Sequence, residues 1–395
     1  MRIGLFTDTY YPQVNGVATS ILTLKRQLEK VGHKVYVFTT TDAQAPVTEL
    51  NVYRVPSVPA VCEKRLAVIY KPRLAKVIKG LNLDVIHTHT EFSLGLFGRM
   101  MAKELGIPHL HTYHTIYEDY THYIIKLKSL NPLAKSAVRR MSAIFCNSAD
   151  HVIVPTEKVK ELLLSYDVEP KMTVVPSGIN LDKFAPTGFV PGNIKALRES
   201  LGVKKEEKVI LYLGRVSQEK NIEELFIHLQ DYLKARKEIK FVLVGGGPEL
   251  GVLKVRAKAL GIEESIVFVG EVPWNEVGKY YQTADVFVSA SQSETQGITY
   301  IEALAAGVPV LAKEDPCLDG VLTPGVNGYT FIDGSTFLDG LEAIFSDASL
   351  GTRALQSVDK FSDYQFALKI EDLYRSEVLK RKALVKTNEG EMKNA

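Results

Sequence analysis

Residues 293–310 read SETQGITYIEALAAGVPV and join a loop, a helix and a strand. Gly297 permits a tight turn at the start of the helix, and Gly307 and Pro309 end it. The apolar run 308–312 that follows predicts a short buried strand. Helix and strand joined through a short glycine turn are typical of α/β units, so the stretch predicts parallel strands covered by helices.

The same alternation extends in both directions. Short β-branched runs predict further strands at 3–7, 34–39, 52–55, 84–87, 108–112, 209–213, 240–244, 266–269 and 286–289. Helical periodicity occurs at 17–31, 72–80 and 94–105. Pro and Gly residues between 176 and 192 interrupt the pattern. We therefore predict two doubly wound α/β domains, 1–185 and 186–375, whose strand ends face each other across a cleft, and a polar tail at 376–395.

Composition excludes several classes of protein. The chain has 395 residues, 46% hydrophobic and 24% charged, which excludes disordered, collagen-like and disulfide-scaffold proteins. No run of apolar residues is long enough to span a membrane, and residues 2–6 look like a first strand, so we expect neither a membrane span nor a signal peptide. Cys62, Cys146 and Cys317 are too few and too distant for a disulfide framework. We expect a cytoplasmic protein.

The net charge of +2 conceals an asymmetry between the two halves of the chain. Residues 1–180 carry a net charge of +7, and the remainder carries −5. A basic half is typical of proteins with an anionic partner such as nucleic acid or lipid headgroups, although a solvated basic face is equally compatible.

Two glutamates mark the quoted stretch as a candidate site. Glu294 lies in the predicted loop and Glu302 about one turn into the helix, so both carboxylates can face one ligand. Gly297 keeps the first N–H groups of the helix accessible, and such groups bind phosphate. Carboxylates accept hydrogen bonds from sugar hydroxyls, so the combination indicates a nucleotide sugar. The glycine turn disfavours the alternative of two unrelated surface glutamates.

A second motif follows the strand 209–213. Gly214 ends that strand, Arg215 comes next and Lys220 follows five residues later. Both cations can neutralise a departing diphosphate, and a capping turn with two solvated cations is the alternative. The glycine run 245–247 after the next strand fits a phosphate loop and a tight turn equally well.

Gly16 follows the first strand, where a dinucleotide-binding chain would carry G-x-G-x-x-G, and this chain does not. Gly16 can bring its loop close to a phosphate or can simply start a helix.

Histidines crowd the middle of the first domain. They are His87, His89, His109, His111, His114 and His122. His-x-His spacing can ligate a metal, but no Asp-x-Asp motif accompanies it, so we expect no metal site. His114 directly follows a predicted strand end and is the best candidate for a substrate contact.

A basic segment precedes these histidines. Its cations are Lys64, Arg65, Lys71, Arg73, Lys76 and Lys79. After Pro72, helical spacing places apolar and basic residues on different faces. Such a helix can lie on an anionic membrane or pack as an ordinary surface helix.

These motifs resemble the retaining glycosyltransferases of family four, which have the two-domain GT-B fold. The resemblance covers nearly the whole chain. Within the family, residues 87–93 and 113–120 resemble bacterial diacylglycerol glucosyltransferases. In the GT-B fold the last helix can cross back to the first domain.

The resemblance implies roles for individual residues. Glu302 would bind the ribose of UDP and Glu294 the sugar hydroxyls, and His114 would lie beside the transferred sugar. Arg215 and Lys220 would hold the diphosphate. The remaining donor contacts would come from Gly16, Gly214, Val272, Gly297, Ile298 and Thr299, with the uracil near Val272. The catalytic set would be Arg215, Lys220, His114 and Glu294.

The resemblance also implies the reaction. We expect glucose to pass from UDP-glucose to the free hydroxyl of 1,2-diacylglycerol as an α-glucoside, by a protein peripheral to the inner face of the cell membrane. No cofactor beyond the donor is expected, with at most a loose Mg²⁺ dependence, and no nucleic acid. A soluble saccharide or wall polymer as acceptor, and a UDP-sugar epimerase of the same fold, remain alternatives.

Overall fold

The computed structural model describes residues 1–13, 15–46, 48–59, 65–67, 72–120 and 131–394. The chain divides into two compact units. Unit 1 comprises Met1–Gly178 with Asp363–Ala395, and unit 2 comprises Ile179–Ser362.

Unit 1 is built on a parallel seven-stranded sheet of order β3-β2-β1-β6-β7-β8-β9. Its strands are β1 (Arg2–Phe6), β2 (Lys34–Thr40), β3 (Val52–Val55), β6 (Val85–Thr88), β7 (His109–Thr112), β8 (His151–Val154) and β9 (Met172–Val174). A small antiparallel ribbon joins β4 (Ser57–Pro59) to β5 (Arg65–Ala67). The helices are α1 (Gly16–Lys30), α2 (Pro72–Leu81), α3 (Ser93–Leu105), α4 (Asn131–Cys146) and α5 (Glu157–Leu164).

Unit 2 repeats this plan with a parallel six-stranded sheet of order β12-β11-β10-β13-β14-β15. Its strands are β10 (Lys208–Leu213), β11 (Ile239–Val244), β12 (Ile266–Gly270), β13 (Val286–Ser289), β14 (Val310–Lys313) and β15 (Gly328–Phe331). Its helices are α6 (Pro191–Ser200), α7 (Ile222–Ala235), α8 (Leu250–Ala259), α9 (Val277–Tyr281), α10 (Ile298–Ala305), α11 (Gly334–Ser346) and α12 (Leu350–Gln356).

Strand β10 shows why its sheet is covered on both faces. Val209 and Leu211 belong to one apolar cluster, and Ile210 and Tyr212 belong to a second cluster on the opposite face. Successive side chains of a strand point to opposite faces, so an almost continuous apolar run needs cover on both sides.

The strand order reverses beside β1 in unit 1 and beside β10 in unit 2, because β6 and β13 pair with these strands on the side away from β2 and β11. Open parallel sheets bind ligands outside the carboxyl ends of their strands at such reversals. The topology therefore directs attention to the loops that follow β1, β6, β10 and β13.

The last helix, α13 (Asp363–Asn394), belongs to unit 1 and packs against α1. Residues 376–394, predicted as a polar tail, continue this helix. The division between the units falls at residue 178, seven residues before the predicted boundary, because Ile179 N–H donates to the Phe361 carbonyl at 3.0 Å and so ties residue 179 to unit 2.

Candidate functional site

The loops after β10 and β13 meet at the carboxyl edge of unit 2. Strands β10 and β13 are neighbours, with Ile210 opposite Val286. Lys220 ends a 3-10 turn after β10, and its Nζ donates to Glu294 Oε1 at 2.6 Å. Both side chains are largely buried, 18% and 20% exposed. The two motifs that the sequence singled out separately thus form one ion pair.

Gly297 is required at the start of α10. Its φ is +69°, and a Cβ atom there would lie 2.3 Å from the Tyr300 ring. Ile298 and Thr299 form the first turn of the helix, where N–H groups have no intrahelical partner. The turn therefore presents backbone donors and the positive end of the helix dipole beside Glu294.

Glu302 is buried one turn further along α10, and the Tyr281 hydroxyl donates to its Oε2 at 2.9 Å. Burial raises the pKa of Glu302 to about 7, opposed by the Tyr281 hydrogen bond and the positive charge of Lys183. The carboxyl group is therefore poised between its two protonation states near neutral pH.

Lys183 and Trp274 complete the surroundings of Glu302, and the sequence analysis missed both. Lys183 Nζ donates to the Trp274 carbonyl at 2.9 Å and lies against the indole ring. Burial lowers the pKa of Lys183 to about 8, opposed by Glu302. Trp274 is the single tryptophan of the chain, and this rarity was the one feature of the sequence that could have marked it as a candidate site residue.

Arg215 is the second residue after β10, following Gly214, and it is exposed. The neighbouring glycine run has a structural explanation, since a Cβ atom on Gly245 would lie 1.8 Å from the Gly214 carbonyl oxygen and one on Gly247 2.2 Å from that of Val216. The glycines allow the loops after β10 and β11 to pack together. Val272, in the loop after β12, packs on the core of unit 2.

Two predicted contacts lie in unit 1 rather than unit 2. Gly16 is the first residue of α1, where Asn15 caps the helix by accepting from Ala18 N–H at 2.9 Å. His114 follows β7 at the carboxyl edge of the sheet. The other predicted donor residues all belong to unit 2.

Four histidines of unit 1, namely His87, His89, His109 and His114, are held in the neutral form by their surroundings. Burial holds the pKa of His87 and of His89 well below the usual range, and neighbouring imidazoles lower them further. Burial likewise lowers the pKa of His109 and of His114 to about 3.

No group of three or more potential metal ligands occurs among the residues that the structure describes. His111 instead contacts Glu91 Oε1 through Nε2 at 3.1 Å, and Thr88 Oγ1 lies 2.9 Å from His109 Nε2. His122 lies outside the described residues.

Part of the predicted membrane surface is described. Arg73, Lys76 and Lys79 are exposed on α2, and Lys79 pairs with Glu104 of α3 at 2.5 Å. Lys64 and Lys71 lie outside the described residues, as does the side chain of Arg65. Within the described helices, none combines the length and apolar character needed to cross a bilayer.

Comparisons with known proteins agree on the type of protein. The family model described as Glycosyltransferase Family 4 matches residues 14–183, and the one described as Glycosyl transferases group 1 matches residues 193–361. An alpha-monoglucosyldiacylglycerol synthase of Streptococcus pneumoniae is 43% identical over 96% of this chain and 86% of the relative. A second alpha-monoglucosyldiacylglycerol synthase, from Acholeplasma laidlawii, is 36% identical over 84% of this chain and 85% of the relative.

Solved structures agree on the fold. Anabaena HepE in complex with UDP superimposes with a TM-score of 0.74 at 18% identity, covering 95% of this chain and 100% of that one. The sucrose-phosphate synthase of Thermosynechococcus elongatus superimposes with a TM-score of 0.75 at 23% identity. The match covers 95% of this chain and 98% of that one. The predicted GT-B fold is thereby confirmed.

Proposed function

Because the chain belongs to glycosyltransferase family 4 and is a hexosyltransferase, we propose that it transfers glucose from UDP-glucose to the free hydroxyl of 1,2-diacylglycerol, with retention of the α configuration. The observation that carries the acceptor is the 43% identity to an alpha-monoglucosyldiacylglycerol synthase over 96% of the chain. UDP-bound structural neighbours and the charged edge of unit 2 support the donor.

The donor half of the proposal assigns UDP to unit 2. The Glu302 carboxylate accepts hydrogen bonds from the ribose hydroxyls, and its burial makes those bonds strong because water does not compete. Arg215, Lys220 and the N-terminus of α10 face the diphosphate. Glu294, held by Lys220 at 2.6 Å, turns its other oxygen to hydroxyls of the glucose.

The chemical step breaks the bond between the anomeric carbon and the diphosphate oxygen. Negative charge grows on UDP as it leaves, and the fixed cations and helix N–H groups stabilise it. The acceptor oxygen bonds to the anomeric carbon on the face that UDP leaves, and a diphosphate oxygen takes the acceptor proton. No protein nucleophile takes part. His114 contacts the sugar as a neutral imidazole, a role its lowered pKa supports.

The test is an activity screen that crosses several nucleotide sugars with diacylglycerol and soluble saccharides, read by mass spectrometry and by NMR of the anomeric proton. We expect an α-glucosyl diacylglycerol from UDP-glucose. Products on soluble saccharides alone would indicate the alternative acceptor. Isomerised donor without any acceptor would indicate an epimerase.

We further propose that unit 1 binds an anionic membrane surface, where diacylglycerol resides. Arg73, Lys76 and Lys79 on α2 supply exposed positive charge. Helix α4 has no acidic residue and exposes Leu133 and Ile144, whose spacing of eleven residues places them on one face. Apolar side chains flanked by cations suit the boundary between headgroups and acyl chains.

Liposome co-sedimentation tests this surface. The double variant Arg73→Glu with Lys76→Glu is expected to lose binding to anionic vesicles. The matched control reverses two exposed cations of α8 in unit 2, Lys254→Glu with Lys258→Glu, and is expected to bind normally. Wild-type binding should weaken as salt rises. Binding that is indifferent to salt and to anionic lipid would contradict the proposal.

A further inference from the structure

Helix α13 reaches the candidate sugar site of unit 1 through one hydroxyl group. Tyr374 is fully buried, and its hydroxyl lies 2.6 Å from Nδ1 of His87, which is also fully buried. The two rings meet edge to face, with centroids 5.6 Å apart. The mechanism above gives neither residue a role, so an interaction this well buried and aligned needs an explanation.

His87 contacts two neighbours of His114. Its Nε2 lies 2.7 Å from Oγ1 of Thr112, the last residue of β7 and only two positions before His114. Its ring packs on the ring of His89, with centroids 4.0 Å apart. The position of His87 therefore constrains the end of β7, which precedes His114, and also the side chain of His89, which contacts His114.

His89 completes the connection. Its Nδ1 lies 3.0 Å from Nε2 of His114, and the two rings stack. Burial lowers the pKa of both histidines, so both are neutral and one must donate while the other accepts.

The orphan nitrogen of His89 indicates which ring donates. Its Nε2 is buried with no hydrogen-bond partner in the described part of the chain. Unpaired buried N–H groups are rarer than unpaired acceptors, which favours a proton on Nδ1 of His89, donated to His114. His114 then carries its own proton on Nδ1, where it can donate to a substrate oxygen.

We propose that Tyr374 is a positioning residue for glycosyl transfer, which acts through His87 and His89 to fix the orientation of His114, while the hydrogen bond from His89 sets the tautomer of His114. This inference rests on the proposed function, since it takes His114 to contact the transferred sugar. It gives α13 a role at the reacting sugar in addition to its packing on α1.

A double-mutant cycle tests the inference. Tyr374→Phe removes only the hydroxyl and is expected to lower kcat roughly fivefold to tenfold, with the donor KM within about twofold of wild type. In a His114→Ala background the same substitution should lower kcat no further, because its effect passes through His114.

The matched control is Glu377→Gln on the same helix. Glu377 contacts His151 at 3.1 Å, and His151 has no hydrogen bond to His114 among the described residues. This variant is expected to lower the melting temperature by an amount similar to Tyr374→Phe, leave kcat within about twofold of wild type, and lower it equally with or without His114.

A second pair of variants does not depend on Tyr374. His89→Asn keeps an N–H donor near the position of Nδ1 and should retain more activity than His89→Ala. Equal losses from those two variants, or additive losses from Tyr374→Phe and His114→Ala, would overturn the inference while leaving the proposed function intact. Full activity of His114→Ala would instead remove the role of His114 and the inference with it.

Discussion

The carboxyl edges of the two sheets have the same topology but carry different side chains. In unit 1 the edge carries His89 and His114, whose lowered pKa values keep them neutral. In unit 2 the edge carries the Lys220–Glu294 ion pair, and Glu302 lies nearby on α10. The fold supplies the positions, and the residues that follow each strand decide the chemistry.

This difference matches the two halves of the proposed reaction. A diphosphate needs fixed positive charge, which unit 2 offers in Arg215, Lys220 and the start of α10. A glucosyl group and a lipid hydroxyl are uncharged, and neutral imidazoles bind hydroxyls without an added charge. The comparison predicts that substitutions at the two edges change different measured quantities.

The largest effect is expected from Lys220→Ala, which removes a cation that we propose stabilises the departing diphosphate. Losing one such contact typically costs about 2.7 to 4 kcal/mol, so kcat should fall on the order of a hundredfold or more. The matched control is Lys208→Ala, which removes a cation from the opposite end of β10, where Lys208 pairs with Asp285 at 2.9 Å. Turnover of Lys220→Ala within about threefold of wild type would discard its assigned role.

Glu294→Gln is expected to damage sugar handling. The amide keeps the shape of the side chain but weakens its hydrogen bonds to hydroxyls, so kcat/KM for the nucleotide sugar should fall about thirtyfold. The affinity for UDP itself, measured by calorimetry, should stay within about threefold of wild type. Lost UDP binding with unchanged selectivity among sugars would contradict this role.

Glu302→Gln is expected to weaken UDP binding about tenfold at pH 8, because a charged acceptor forms stronger hydrogen bonds than an amide. Since the pKa of Glu302 is raised to about 7, wild-type affinity should rise as pH increases from 6 to 8, and the variant should lose that dependence. Calorimetric titrations at both pH values check the prediction. An unchanged pH profile in the variant would assign the titration to another group.

Stability should respond to pH in opposite directions at the two edges. The folded-state pKa of Glu302 lies above that of the unfolded chain, so Glu302 disfavours folding at pH 8 and less so as pH falls through 7. Glu302→Gln should therefore raise the melting temperature at pH 8, and the gain should shrink by pH 5.5. A gain of equal size at both pH values would argue against a buried, titrating carboxyl group.

His109 and His114 of unit 1 have the reverse effect. Burial lowers their folded-state pKa values to about 3, so the unfolded chain binds protons that the folded chain does not, and stability falls as pH drops below about 6.5. His109→Gln removes one such group and should reduce the slope of unfolding free energy against pH by up to about 1.4 kcal/mol per pH unit. Denaturant titrations between pH 5 and 7 measure that slope.

Much of this comparison was predictable from sequence, and the reasons are local. Strand β10 and helix α10 follow from apolar runs bounded by glycine. The Lys220–Glu294 contact was not predicted, because it depends on β10 and β13 being neighbours in the sheet. Strands β8, β9 and β15 were missed. Strand β9 spans only Met172–Val174, too short for a period to be read, whereas β8 and β15 are as long as the four-residue strands that were predicted.

Other contacts depend on positions far apart in the sequence. Trp274 lies 91 residues from Lys183, and His87 lies 287 residues from Tyr374. No local pattern encodes such pairs, since each forms only when separate loops or helices pack. The cluster of histidines was recognised in the sequence. The lowered pKa values of these histidines result from burial, which cannot be predicted from a local sequence pattern.

The central claim is that the edge of unit 2 that carries Lys220 and Glu294, and not the edge of unit 1 that carries His89 and His114, binds the nucleotide. Calorimetric titration of UDP into Glu302→Gln and His114→Ala at pH 8 tests it most directly. We predict that UDP affinity falls about tenfold in Glu302→Gln and stays within about twofold of wild type in His114→Ala. Loss of UDP binding in His114→Ala with normal binding in Glu302→Gln would contradict the account.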